Sequence, residues 1–247
     1  MSTSEARPRV QVFDDAEAVA RSAAERFVEL GQAAIDARGC FSVGLAGGST
    51  PKRTYELLAS EAYREQLNWS KVHIFFGDER CVPPDHSESN YRMANEALIS
   101  RVSIPPPNVH RINGLGDAVA NASLYEDELR TFFNPASWPR FDLVLLGMGD
   151  DGHTASLFPG TKALVEPRAW VVANWVEKFG AFRITLTAPA INHAANIAFL
   201  VTGATKAERL LEVLRGALDP EKLPSQLIQP LDGSLFWLVD KAAAGRL

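Results

Sequence analysis

A mainly parallel, Rossmann-like α/β sheet with helices on both faces is the fold class this sequence predicts. Three observations lead there. Strand-like and helix-like segments alternate along nearly the whole chain, and such alternation implies parallel pairing through crossovers. The strand-like runs are short and apolar, as strands covered on both faces must be. No repeat, low-complexity segment or long linker breaks the 247 residues, a length that one large α/β domain can fill. A single domain over residues 1–247 is expected.

The elements follow in order. Residues 14–39, DDAEAVARSAAERFVELGQAAIDARG, open on acidic residues and end on Gly39, with Val19, Ala23, Phe27, Leu30 and Ala34 at helical spacing; this predicts an amphipathic helix with a glycine C-cap. FSVGLAG is a short buried strand. STPKRTYELLA restarts a helix, with Thr50 as expected N-cap and Pro51 at the first helical position. KVHIFFGDE is a strand, SNYRMANEALIS a helix capped by Ser89, and PPPNVHRI a break that starts another strand. Asp117 is placed to cap AVANASLYEDELRTFF. FDLVLLGMG is the most strand-like run of the chain, and AWVVANW, RITLTAP and NIAFLVTG are further strands. TKAERLLEVLRGAL is a helix expected to be capped by Thr205; LFWLVD and KAAAGRL close the chain as strand and helix.

Composition narrows the function. A net charge of −5 weighs against a nucleic-acid partner, whose affinity comes mostly from Lys and Arg neutralising phosphates. No run has the apolar length of a membrane span, and the N-terminal MSTSEARPRVQVF lacks the apolar core of a signal peptide. Cys40 and Cys81 form no CxxC and no zinc-like spacing, so two free thiols in a reducing cytoplasm are expected.

In open α/β sheets, ligands bind beyond the carboxyl ends of the strands. Four polar clusters fall at such ends: GGSTP, GDER, GDDGHT and TGATKAER. In the first, Gly47 and Gly48 let backbone approach a ligand, the following helix aims free N–H groups outward, and Ser49 and Thr50 add hydroxyls, a combination suited to phosphate. It is neither a Walker loop nor GxGxxG. Lys206 repeats the design in the first turn of a helix, and Arg183 opens the strand RITLT. Arg80, beside Asp78 and Glu79, offers a rigid fork for carboxylate or phosphate oxygens. Each of these alone could be a solvated surface residue; four clusters at one edge can form one site. His153 is the strongest single candidate. Imidazole titrates near neutrality and can take a proton from water, and Asp151 or Asp150 could fix its tautomer. No GxSxG accompanies it, so water is the expected nucleophile. His73 is expected to be a strand or core residue; His86, in PPDHSESNY, is ambiguous.

At these residues the chain resembles the 6-phosphogluconolactonases. The resemblance covers nearly its whole length and rests on GLAGGSTP, FFGDERCVPPDHSESNY, GMGDDGHTASLFPG, RITLTAPAINHA and VTGATKAE, in that order. It implies hydrolysis of 6-phospho-D-glucono-1,5-lactone to 6-phosphogluconate in the oxidative pentose phosphate pathway, with no cofactor and no catalytic metal. It implies His153 as the family's histidine and Asp151 as its aspartate partner. Asp78 and Arg80 match the family's DER, and Arg183 and Lys206 its basic positions; no role carries over to Asp150. The related glucosamine-6-phosphate deaminase/isomerases share a DGH segment but usually have DEY where this chain has DER. After His153 no carboxylate follows until Glu166, which favours the lactonase branch. A non-catalytic sugar-phosphate sensor is the third reading. The expected partner is therefore a small sugar-phosphate lactone, with no nucleic acid and no membrane, bound by a monomer or small homo-oligomer.

Overall fold

The computed structural model describes residues 9–247. It opens with β1 (Arg9–Phe13), a strand the sequence pattern did not signal because its side chains are mostly exposed. Helix α1 (Ala16–Arg38) follows, with Asp15 Oδ1 accepting from the Ala18 N–H at 2.8 Å and Gly39 closing it at φ 80°. Strand β2 (Phe41–Leu45) leads into α2 (Ser49–Leu58), and β3 (Val72–Phe76) into the short β4 (Asp78–Arg80). Ser89 caps α3 (Asn90–Ala97) and Asp117 caps α4 (Ala118–Phe133), both as expected. β5 (Leu143–Leu146), β6 (Val171–Val176), β7 (Ala181–Leu186), α5 (Ala188–Asn192), β8 (Asn196–Val201), α6 (Ala207–Arg215) and β9 (Ser234–Asp240) complete the chain.

Six strands form one sheet in the order β1-β9-β8-β5-β2-β3, every pair parallel. Register shows that helices cover both faces. Phe41 pairs with Val72 and Gly44 with Phe75; an odd separation along β2 puts these pairs on opposite faces. On one face Phe41 meets Phe27 of α1 edge-on at 5.1 Å, and on the other Phe75 meets Phe132 of α4 at 5.0 Å. β2 and β5 are buried along their whole length.

Several expectations are corrected. β6 and β7 are not in the parallel sheet but form a three-stranded antiparallel sheet with β4, in the order β4-β7-β6. Only residues 177–180 separate them, far too few for a parallel crossover, and Gly180 at φ 57° turns the chain. The PPPNVHRI segment makes one bridge, Ile74 to Val109, rather than a strand, because prolines lack the N–H that a ladder needs. RITLTAP ends as a strand at Leu186, where Thr187 accepts from the Ala190 N–H and starts α5. Thr50 and Thr205 are not caps: Gly48 (φ 106°) and Gly203 (φ 95°) hold the positions before the turns, and Ser49 rather than Pro51 is the first residue of α2. KAAAGRL forms turns on Asp240, being too short to sustain a helix.

Phe75 is fully buried among Phe132, Phe133, Phe141 and the His110 ring. Phe75→Ala should cost about 3–5 kcal/mol of unfolding free energy, read as a fall in the urea midpoint. Val12→Ala, on the exposed face of β1, should move it far less.

Candidate active site

Parallel strands place all their carboxyl ends at one edge, and there β2, β3, β5 and β8 deliver the four polar clusters to a single pocket. It has a volume of about 250 Å³, and its wall includes Gly47, Gly48, Ser49, Thr50, Asp78, Arg80, His153, Arg183 and Lys206. Two buried tyrosines fix the strand ends that feed it. The Tyr55 hydroxyl donates to the Ala46 carbonyl at 2.9 Å and accepts from the Ala46 N–H at 3.0 Å. The Tyr125 hydroxyl treats Phe76 the same way, at 3.2 and 2.9 Å.

His153 and Asp151 sit on the tight loop after β5. Gly149 N–H donates to the His153 carbonyl at 2.9 Å, and Gly152 turns the chain at φ 80°. This folding back brings Asp151 Oδ1 onto His153 Nδ1. A carboxylate accepts only, so Nδ1 carries the shared hydrogen and Nε2 keeps a lone pair. Asp151 Oδ2 lies 3.3 Å from Lys178 Nζ. Partial burial works against ionisation of Asp151, but the hydrogen bond and charge of His153, with Lys178, outweigh it and hold the carboxyl well below the usual carboxylate range. Phe158 stacks on the imidazole with centroids 4.0 Å apart.

The cations arrive from two sides. Arg80 and Arg183 are directly opposite each other across β4 and β7. Like charges so placed repel, and burial, followed by the Arg80 guanidinium, works against the charge on Arg183. Arg80 donates through Nη1 to the Glu88 carbonyl, while its Nε is buried without a partner. An anion in the pocket would relieve both. On the far side Lys206 Nζ is 2.6 Å from the exposed carboxylate of Asp150, so Asp151 and not Asp150 is the imidazole's partner. α2 opens toward the same space, and Thr50 Oγ1 is 2.7 Å from Thr202 Oγ1.

Two acidic residues of GDER point inward. Asp78 Oδ2 accepts from Ser156 Oγ at 2.6 Å and Oδ1 from Asn90 Nδ2 at 3.1 Å. Glu79 accepts from the N–H groups of Arg80, Asn90 and Tyr91 and from Ser89 Oγ; burial pushes its carboxyl up, and those four donors pull the other way. Asn90 lines the pocket so closely that a Cβ on Gly47 would fall 2.1 Å from its Oδ1. Sequence reasoning missed Asn90, Ser156 and Lys178. Asn90 could have been found from its place just after the Ser89 cap; the other two gave no signal. His86 is exposed and its ring Nδ1 accepts from the Glu88 N–H, while His73 is a β3 residue bonded to His110 at 3.1 Å. Burial raises the Cys81 thiol, which makes it a poor nucleophile. Among the described residues, no group of three or more His, Cys, Asp or Glu is arranged to hold a metal ion. Nor is any helix there long and apolar enough to cross a membrane.

A doubly covered parallel sheet with a carboxylate-held imidazole and a cationic, glycine-rich wall at its carboxyl edge defines an α/β protein built to act on small anionic molecules. Residues 14–237 match the family model described as glucosamine-6-phosphate isomerases/6-phosphogluconolactonase. A 6-phosphogluconolactonase of Nostoc sp. is 45% identical over 242 residues, 96% of this chain and 98% of that one. One from Synechocystis sp. is 47% identical over 218 residues, 87% and 88% of the two chains. Among solved structures, the 6-phosphogluconolactonase of Trypanosoma brucei superposes with a TM-score of 0.87 at 31% identity, covering 98% of this chain and 99% of its own. The chain belongs to the glucosamine-6-phosphate isomerase/6-phosphogluconolactonase family.

A Cβ at position 149 would lie 2.0 Å from His153 Nδ1 and 2.8 Å from Asp151 Oδ1. Gly149→Ala should therefore leave the fold intact at a cost of about 1–3 kcal/mol while separating the two side chains. Loss of the downfield imidazole N–H resonance in the proton NMR spectrum, with circular dichroism unchanged, is the expected result.

Proposed function

We propose that this protein hydrolyses 6-phospho-D-glucono-1,5-lactone to 6-phospho-D-gluconate, the lactone-opening step of the oxidative pentose phosphate pathway, with His153 as general base. The observation that carries the reading is the arrangement at His153: Nδ1 is held by Asp151, Nε2 is left with its lone pair, and the ring lines a pocket walled by cations. The cyanobacterial relatives named 6-phosphogluconolactonase support the substrate.

A water beside Nε2 attacks the lactone carbonyl carbon and passes a proton to the imidazole. The carbonyl oxygen becomes an oxyanion, stabilised by Arg80 or a loop N–H. The bond from that carbon to the ring oxygen then breaks, and the ring oxygen takes the proton back from Nε2. The products are a carboxylic acid, which ionises in water, and a free hydroxyl. Asp151 orients the base and steadies the imidazolium. Asp78, with both oxygens engaged, acts as a positioning residue for the His153 loop through Ser156. Gly47, Gly48, Ser49, Thr50 and Lys206 receive the phosphate, for which Lys206 must leave Asp150, and Arg183 binds the substrate beside them. The chemistry calls on no metal or cofactor. The chain works as one catalytic domain, as a monomer or small homo-oligomer in the cytoplasm, with no nucleic acid or membrane as partner; the net charge of −5 and the two free thiols support this.

Freshly generated 6-phospho-δ-lactone should open faster than its spontaneous rate when the protein is added in the presence of chelator. No acceleration over the blank would sink the reading, and ammonia release from glucosamine 6-phosphate would point to the deaminase branch. His153→Ala should lose about 10²–10⁴ in kcat with little change in KM. Since His153, with Lys178, holds the Asp151 carboxyl well below the usual carboxylate range, protonation of Asp151 should add no step to the acid side of the rate profile. Charge-assisted phosphate contacts contribute roughly 1.5–3 kcal/mol each, so Lys206→Ala should lower kcat/KM about tenfold or more. The loss should be much smaller on the unphosphorylated lactone; equal losses on both would remove Lys206 from the phosphate site.

A further inference from the structure

We infer that Lys178, on the turn between β6 and β7, is a positioning residue that sets the basicity of His153 through Asp151. The inference rests on the reading of His153 as general base.

The geometry is a three-member chain. Asp151 gives one oxygen to His153 Nδ1 and the other to Lys178 Nζ at 3.3 Å. A carboxylate shared with an ammonium attracts the imidazolium less than one left to the imidazole alone, and the ammonium itself repels that imidazolium. Lys178 therefore favours the neutral, proton-accepting imidazole. It does so from outside the pocket, with a side chain 62% exposed and no place in the pocket wall.

The turn that carries Lys178 is tied to the same histidine by packing. Phe179 meets Phe158 edge-on at 5.6 Å, and Phe158 stacks on the imidazole. The Arg183 guanidinium lies 4.7 Å from the Phe179 ring centre, on its face. Isolated surface ion pairs contribute little because both partners move freely. Here one partner is fixed: Asp151 also accepts from the His153 backbone N–H, and the turn is anchored by Phe179. The other charged groups around the dyad are Asp150 with Lys206, Arg209, which donates to the Asp150 carbonyl, Asp78, Arg80 and Arg183. Glu177, beside Lys178, accepts from the Trp175 indole. None of these groups is bonded to Lys178, whose ion-pair partner is Asp151, so a substitution series at 178 addresses its charge.

The experiment follows the acid limb of kcat/KM and, independently, the NMR titration of the His153 imidazole in the full-length protein. Lys178→Met should raise both midpoints by about half a pH unit, and Lys178→Glu further. Lys178→Arg should restore the wild-type midpoint. The Met shift should shrink as salt is raised toward 1 M, where charges are screened within about 3 Å. Phe179→Ala, which frees the turn, should raise the midpoints in the same direction as Lys178→Met and by less; midpoints unmoved by Phe179→Ala would remove the anchoring role of Phe179 from the inference. A purely structural Lys178 would alter kcat or thermal stability and leave the midpoints of all three Lys178 variants together, which would overturn the inference. Absence of lactonase activity in the wild-type protein would overturn the reading of His153 instead, and the NMR titration would still decide whether Lys178 governs the imidazole.

Discussion

The site depends on one buried carboxylate. Asp78 stands where the chain leaves the parallel sheet for the antiparallel one. Just before it, Gly77 donates its N–H to Leu45 of β2 and accepts from Leu186 beside β4, so one residue bonds to both sheets. Asp78 then spends its side chain on Asn90 of α3 and Ser156 of the His153 loop. Removing a partner from a buried carboxylate leaves an uncompensated group, a far greater loss than the net contribution of the bond. The two sheets, the helix behind Gly47 and the loop that presents the imidazole are thus held to one geometry. The position of His153 relative to Arg80 and Arg183 follows from that anchor.

A second constraint is charge. Arg80 and Arg183 are opposite one another across β4 and β7, while Lys206 and Lys178 each pair with an aspartate of the same loop, Asp150 and Asp151. The two lysine pairs differ in consequence. Lys206 of the Asp150 pair lies in the pocket wall, and the Asp151 pair lies outside that wall, on the Nδ1 side of the imidazole. Under the proposed chemistry the first would open to an entering anion and the second would persist.

Much of this was legible in the sequence, for definite physical reasons. Capping and periodicity are local, so α1, α3 and α4 and their caps Gly39, Ser89 and Asp117 could be placed from short windows. The parallel sheet followed from alternation, and the pooling of four polar clusters from the rule that parallel strands share a carboxyl edge. The failures are long-range. Nothing near Ser156 signals Asp78, 78 residues away. Nothing near Lys178 signals Asp151. β6 and β7 read as strands like the others, but their polar Asn174 and Arg183 and the brevity of residues 177–180 set them apart from the fully buried β2 and β5. Thr50 and Thr205 have the chemistry of caps, but the positive φ required at Gly48 and Gly203 moves the start of each turn.

The loop after His153 decides what such an edge can do. The family to which the chain belongs is described by two activities, isomerase and lactonase, so fold alone does not select a reaction. Ring opening with loss of an amine calls for an acid and a base; opening an ester with water calls for one group that takes a proton and returns it. Here Asp78 is committed to Asn90 and Ser156, and Asp151 to His153 and Lys178. Glu166, the first carboxylate after His153, caps the Arg168 and Ala169 N–H groups. In their place the loop offers Thr154, then Ala155, which lines the pocket at φ 47°, then Ser156. A non-glycine residue in that conformation is held against its own preference, and the Ser156–Asp78 bond one residue on supplies the restraint. Apart from Asp150, which answers Lys206, the described acidic groups around His153 are spoken for. This pattern supports the proposal that Nε2 takes the proton, since one such atom is what water-driven opening of a lactone requires.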